Sequence, residues 1–477
     1  MQNESKLISI SKKSFFSVVI ILLVLMIGAG ILTHLIPAGE YERDGDIIIN
    51  GTYYLLEDTS GYPYLRILSA PFEVLGSSDG LSIIVISIFI LVLGGTFTLM
   101  DKTGGIKVIL KKLIAKFKDK KYSLLRIVIL AFMMFGAFFG IFEESIALLP
   151  IMILLSLSLG WDTLIGIGMT MLAASFGFAS AITNPFSIGI ASELAETNIL
   201  SGVWFRIIVF VTLYFILSTF MVRYAKMIDK DPKKSLTYED DLKKAKSFDL
   251  SESMSLEKEN LRFKAYVWMF IVFLFSILII SVLDLFLAIS LPTIPVMAVI
   301  FLIGGCIAGY IVTKNLKYIL KVYLEGMLAV APAILLIMMA ASVKYIIVEG
   351  NVMDTILYYL SEVLSSQGAI MGILLIYGLV LVTDFFIGSA SAKAYLIIPL
   401  LIPLSSLVGY SKELAILAFV FGDGYTNVIF PTSAVMLVGL SIGGVSYSKW
   451  FKWSGFLQLG ILLLTAVFLI IALLIGY

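Results

Sequence analysis

Four carboxylates, one lysine and two Thr-Asn pairs stand inside otherwise apolar sequence. Glu143 and Glu144 begin a polar stretch that continues through Ser145 to Pro150 and on to Thr183-Asn184-Pro185-Phe186-Ser187. A second stretch runs from Asp384 through Ser389, Ser391 and Lys393 to Asp423, Thr426-Asn427 and Phe430-Pro431-Thr432-Ser433. Charged and amide side chains at membrane depth are costly, and they mark working sites by default. Pro185 denies the helix a hydrogen bond and pushes Asn184 out of helical geometry; Gly422, Gly424 and Pro431 do the same in the second stretch. Backbone freed in this way offers carbonyls to a cation and amides, at the next helix start, to a carboxylate. Asn184 and Asn427 add a donor and an acceptor each, and Thr183, Thr426, Thr432 and Ser433 add hydroxyls. Isolated Ser and Thr serve only as contacts between helices, but a Thr-Asn break that occurs twice points to binding.

The elements that must hold these residues are membrane spans. The chain has 477 residues, of which 60% are hydrophobic and 14% charged, and its mean hydropathy is +1.03. A soluble domain carries about 25% charged residues, so this is an all-α polytopic membrane protein. The net charge of +1 gives no case for a nucleic-acid partner. His34 and Cys306 are the single histidine and cysteine. That excludes a His-centred triad, a Cys or His metal cluster and a disulfide, so neither an enzyme of the usual kinds nor a cofactor is expected. No Gly-x-x-x-x-Gly-Lys-Ser/Thr segment is present, which argues against ATP-driven transport by this chain.

The organisation follows from charge. Residues 1–80 are an N-terminal helix (Phe15–Ile36) and a polar, acid-rich loop with a β-hairpin around Asn50-Gly51. Lys6, Lys12 and Lys13 put the N-terminus in the cytoplasm, and the helix is too long for a signal peptide. Residues 81–224 form a first unit, 225–264 a mixed-charge cytoplasmic linker read as a mobile tether, 265–320 two connecting helices, and 321–477 a second unit. Three anchors align the units. Gly104 matches Gly350, Pro150 matches Pro399 and Thr183-Asn184 matches Thr426-Asn427, at offsets of 246, 249 and 243 residues. After its first helix, the first unit carries nine basic residues between 101 and 126; the matching loop of the second, 347–366, carries none. The positive-inside rule puts those loops on opposite faces, so the repeat is inverted, with its binding site at the bilayer midplane. At the offset of 249, Glu144 aligns with Lys393, and the symmetry predicts an ion pair or the two poles of a zwitterion site. Glu143, Glu144, Asp384 and Asp423 against Lys393 leave an acidic excess that suits a cationic cargo or a coupled H+ or Na+. Protonation would relieve the burial of Glu143 or Glu144, which makes them candidates for proton coupling.

At these residues the chain resembles a known family. Phe421-Gly422-Asp423-Gly424-Tyr425-Thr426-Asn427 through Ser433 is similar to the signature of the YfcC-like branch of the DcuC-type anaerobic C4-dicarboxylate carriers, within the ion transporter superfamily. Thr33 through Tyr41, Thr183 through Ser187 and Gly388-Ser389-Ala390-Ser391 resemble that family too. The resemblance implies a homodimeric elevator-type transporter in the cell membrane. Its re-entrant hairpins would lie near 142–160 and 389–409, and its moving domain would hold the hairpin tips and both Thr-Asn breaks. The expected substrate- or ion-binding residues are Glu143, Glu144, Thr183, Asn184, Pro185, Ser389, Ser391, Lys393, Asp423, Thr426, Asn427, Thr432 and Ser433. The expected function is secondary transport or exchange of amino acids, basic ones of the arginine and ornithine type. The alternative is a C4-dicarboxylate carrier coupled to Na+ or H+. A channel of the same architecture would lack saturation and counterflow.

Overall fold

A computed structural model describes residues 12–44, 47–49, 51–57, 61–117, 120–247, 256–287, 292–365 and 368–477. Among them, eight helices are long and apolar enough to cross a membrane. The expected first span is the helix Lys12–Leu35. The connecting helices are Leu256–Leu287 and Thr293–Thr313. Lys6, Lys118 and Asn50 lie outside the described residues.

The two units share one order of elements. In the first, Gly80–Lys102 is followed by the short helix Gly105–Phe117 and by Lys121–Phe139. A tip follows, with a single turn at Glu143–Ala147, and Leu149–Ser158 runs back. The next helical run starts at Thr163, ends at Ser180, breaks over 181–184 and resumes at Pro185. Val203–Lys230 closes the unit. In the second, Pro332–Glu349, Met353–Ser365 and Ala369–Phe386 lead to a tip at 387–389 and the return arm Ala390–Val408. Lys412–Gly424 then breaks over 425–433, Ala434–Gly443 resumes and Tyr447–Leu474 closes the unit.

Local sequence explains the interruptions. Gly140 takes a φ of 67° and ends its helix, its amide donating to the Gly136 carbonyl at 3.0 Å. The expected hairpin range of 142–160 covers the tip and the helix Leu149–Ser158 that follows it. Pro150 sits at the start of that helix, whereas Pro399 lies inside Ala390–Val408. These two anchors share a spacing but not a local role.

Two expectations are corrected. The loop after the first helix is a ribbon, but Ile47–Ile48 pairs with Arg43–Asp44, and Gly39–Glu40 pairs with Tyr54–Leu55. Ile47–Ile48 thus pairs back toward the first helix and not forward across Gly51, and Asn50 lies outside the described residues. The ribbon rests on the start of Met353–Ser365. Asp354 receives the Tyr41 amide at 3.0 Å and pairs with Arg43 at 2.7 Å.

The linker, read as a mobile tether, is tied down in its described part. Asp162 caps the helix that starts at Thr163 and also accepts from Tyr224 at 2.6 Å and Ser235 at 2.7 Å. Asp241, on the linker helix Tyr238–Ser247, accepts from the Thr163 amide at 2.9 Å and from the Thr163 and Thr237 hydroxyls. Lys244 donates to the Gly443 carbonyl at 2.5 Å, and Lys449 pairs with Asp240 at 2.8 Å. The mixed charges that suggested a solvated tether thus fasten the two units to each other. Asp241→Ala leaves buried donors unpaired, and it is expected to cost about 2–3 kcal/mol, read as a lower melting temperature of the purified protein.

Candidate functional site

Lys393 is fully buried in the first turns of the return arm Ala390–Val408. Its ammonium lies against two carboxylates: Asp423, at 2.6 Å, and Asp384. Asp384 comes from the last turn of Ala369–Phe386 and Asp423 from the last turn of Lys412–Gly424. The second hairpin and the second broken helix therefore meet through one cation and two anions. Thr426 donates its hydroxyl to Asp384, and that oxygen also lies 2.9 Å from the Gly422 carbonyl. Asn427 turns its amide back onto the Asp423 carbonyl at 3.1 Å. Ions this deeply buried are tolerated only when paired, because desolvation costs several kcal/mol for each.

Asp384 was legible as a carboxylate in an apolar stretch but was left out of the expected binding set; the structure puts it against Lys393. The predicted partnership of Glu144 and Lys393 does not form. Lys393 is taken by the two aspartates, while Glu144 is buried among Phe132, Phe135, Ile141, Phe273 and Leu274. Glu143 faces Ile86, Phe89 and Ile90 of Gly80–Lys102 and Ala434, Val435 and Val438 of the resumed second helix. Neither glutamate is ion-paired among the described residues.

The first break is built against the first tip. Thr183 donates its amide to the Ala137 carbonyl at 3.1 Å and its hydroxyl to the Phe138 carbonyl at 3.0 Å. Asn184 is fully buried, and its side-chain oxygen caps the Phe186 amide at 2.9 Å. A Cβ on Gly140 would stand 2.3 Å from that oxygen, so the tip and the break touch where only glycine fits. The Asn184 Nδ2 and the Ser187 Oγ are buried and have no hydrogen-bond partner among the described residues. Pro185 opens the resumed helix, and Ser391 of the second hairpin reaches the Phe186 carbonyl at 3.4 Å. Ser433 caps the Met436 amide at 3.4 Å, Thr432 is half-buried beside it, and Ser389 is exposed at the second tip.

The two broken helices pack against each other at Gly424. A Cβ there would stand 2.3 Å from Ala179, and Ser175 donates to the Gly424 carbonyl at 2.7 Å. Residues from the two units are thereby held in one layer.

Some of the freed carbonyls already have a donor. Arg206, fully buried, donates to the carbonyl of Ala181 in the first break at 3.2 Å, and to those of Ile199 at 2.5 Å and Ser201 at 3.2 Å in the loop before its own helix. In the second, Trp450 and Gln458 take the Val428 carbonyl at 2.8 and 3.2 Å, and Tyr447 takes that of Ile429 at 2.7 Å. In each unit the closing long helix thus takes some carbonyls of the break, and the carbonyls of Ala181, Val428 and Ile429 are not open to a cation. Sequence reading missed Arg206; its position just after a long Lys-Arg-free stretch was the available signal.

A cavity of about 390 Å³ opens between the ribbon and the second hairpin. Glu40, Arg43, Asp79, Lys344 and Asp354 supply its charges, and Ala392, adjacent to Lys393, forms part of its wall. Lys344 pairs with Asp79 at 2.6 Å.

Known proteins resemble this chain over nearly its whole length. A protein of Escherichia coli (strain K12) named "Putative basic amino acid antiporter YfcC" is 28% identical, with 96% of each chain covered. An uncharacterized protein of Haemophilus influenzae is 28% identical over 77% of this chain and 71% of its own. Among solved structures, the YdaH transporter of Alcanivorax borkumensis matches with a TM-score of 0.43 and 18% identity, covering 97% of this chain and 98% of its own. MtrF of Neisseria gonorrhoeae matches with a TM-score of 0.39 and 15% identity, over 94% of each chain. The family described as C4-dicarboxylate anaerobic carrier (DcuC) matches residues 15–474. The chain is therefore a multi-pass membrane transporter, not an enzyme, and it belongs to the C4-dicarboxylate anaerobic carrier family.

Proposed function

We propose that this transporter exchanges basic amino acids across the cell membrane by an elevator movement, with its N-terminus in the cytoplasm, and that it works as a homodimer. The observation that carries the reading is the charge state of the site. Glu143 and Glu144 have no paired cation among the described residues, while Lys393 is already matched by Asp384 and Asp423. A cationic cargo, or a coupled proton, supplies the charge that the first tip lacks. The name of the Escherichia coli relative agrees with that reading.

The matching order of elements and the opposite charge of the matching loops support an inverted pair of units with re-entrant hairpins. In an inverted pair the substrate sits where the broken helices meet, near Asn184, Ser187, Ser391 and Asn427. The buried Asn184 Nδ2 and the amides that open the Pro185 helix are donors for the substrate's carboxylate. The mixed-charge cavity beside Ala392 suits the approach of a zwitterion.

A second reading, C4-dicarboxylate transport coupled to Na+ or H+, has the family description in its favour. It needs a free cation for the second carboxylate, and Lys393 is already spent on two aspartates.

Asn184→Ala and Asn427→Ala are each expected to lower arginine exchange in proteoliposomes by about 100-fold, the cost of about two substrate hydrogen bonds. Each variant also loses one buried hydrogen bond, so a drop of only a few degrees in melting temperature is expected beside the loss of exchange. Normal exchange in both variants removes the site assignment.

A further inference from the structure

The three charges of the second unit are arranged like an occupied cation site. The ammonium of Lys393 and the carboxyl group of Asp423 are wholly inaccessible, and Asp384 is nearly so. The polar atoms gathered around the ammonium are oxygens: those of Asp384 and of Asp423, with the Thr426 hydroxyl on Asp384. Among the described residues both Asp423 carboxylate oxygens lack a hydrogen-bond donor, and one of them is held by the ion pair with Lys393. Carboxylate and hydroxyl oxygens are the donors that hard cations prefer. Two carboxylates without further acidic partners suit a monovalent ion better than a divalent one.

We propose that Lys393 is a tethered cation: its ammonium fills a latent monovalent-cation site formed by Asp384, Asp423 and Thr426, so the second unit needs no exchangeable ion there. The inference rests on the transporter reading but not on the identity of the cargo. A purely structural ion pair is the competing account, and it differs in what removal of the lysine leaves behind. In that account the carboxylates are left unmatched and indifferent to which salt is present. In ours they form a vacancy with the right oxygens for Na+.

The test is the melting temperature of purified full-length protein in NaCl and in choline chloride at equal ionic strength. The unaltered protein should melt alike in both. Lys393→Ala should melt lower in choline, and Na+ should raise its melting temperature by several degrees in a saturable way; recovery of folded protein in NaCl alone has the same meaning. A flat response in Lys393→Ala overturns the proposal, as does an equal Na+ response in the unaltered protein. Should Lys393→Ala fold in neither salt, Lys393→Ala with Asp384→Asn lowers the buried charge and keeps Asp423 and Thr426. A saturable, weaker Na+ response there supports the tethered cation, and its absence overturns it. The assay uses no organic substrate, so loss of arginine exchange with an intact Na+ response would remove the substrate reading and leave this one standing.

Discussion

Lys393→Met, measured in choline, is expected to cost about 3–5 kcal/mol of stability and to abolish exchange, the larger of the two principal effects. The side chain is close in length, so packing survives and the loss is electrostatic. Without the ammonium, Asp384 and Asp423 face each other's charge in a place water does not reach. Adding Asp423→Asn to Lys393→Met should restore part of the stability, because it removes one of the stranded charges. The double variant should still not transport. Melting temperature and denaturant midpoints read the first effect, and proteoliposome exchange reads the second. A single variant as stable as the unaltered protein would show that the aspartates are neutralised by something other than Lys393.

Arg206→Ala should have the second largest effect. It leaves the carbonyls of Ala181, Ile199 and Ser201 without their donor in a buried place. Each unmet carbonyl costs about 1–3 kcal/mol, partly recovered by water that enters the vacated volume, so a net loss of about 2–4 kcal/mol is expected. Arg206→Lys keeps the charge but not the planar fork, and it should recover less than half of that. Transport should fall with stability, because Ala181 takes a φ of 41° and sets the direction in which Thr183 and Asn184 leave the helix. If Arg206→Ala melts normally and still exchanges, the break is held by other contacts.

The parts of this molecule that sequence reveals are those with a strong local signal. Apolar length gave the first helix, expected over 15–36 and found over Lys12–Leu35, to within a few residues, since a bilayer demands a long run of hydrophobic residues and little else. The breaks at Pro185 and near Gly424 were legible because Pro and Gly act locally. The partners of the charges were not. The offset that aligned Glu144 with Lys393 describes equivalence between units, but an ion pair depends on which side chains face each other across them. Asp384 and Asp423 reach Lys393 from the last turns of two different helices, and no spacing rule encodes that. The fate of the freed carbonyls was hidden for the same reason: Arg206, Trp450, Gln458 and Tyr447 stand on the closing helices, far along the chain from some of the groups they satisfy. The linker misled through composition. Its alternating charges are those of a solvated tether, yet Asp240, Asp241 and Lys244 each have a fixed partner.

Counterflow is the decisive measurement for a cationic amino acid as the cargo of this site. Proteoliposomes loaded with unlabelled arginine are given labelled arginine, ornithine, lysine, neutral amino acids, succinate or fumarate outside. The account predicts saturable accumulation of arginine, ornithine or lysine, with succinate and fumarate left outside. In vesicles loaded with succinate, labelled succinate that accumulates while no amino acid does so under either loading would contradict it.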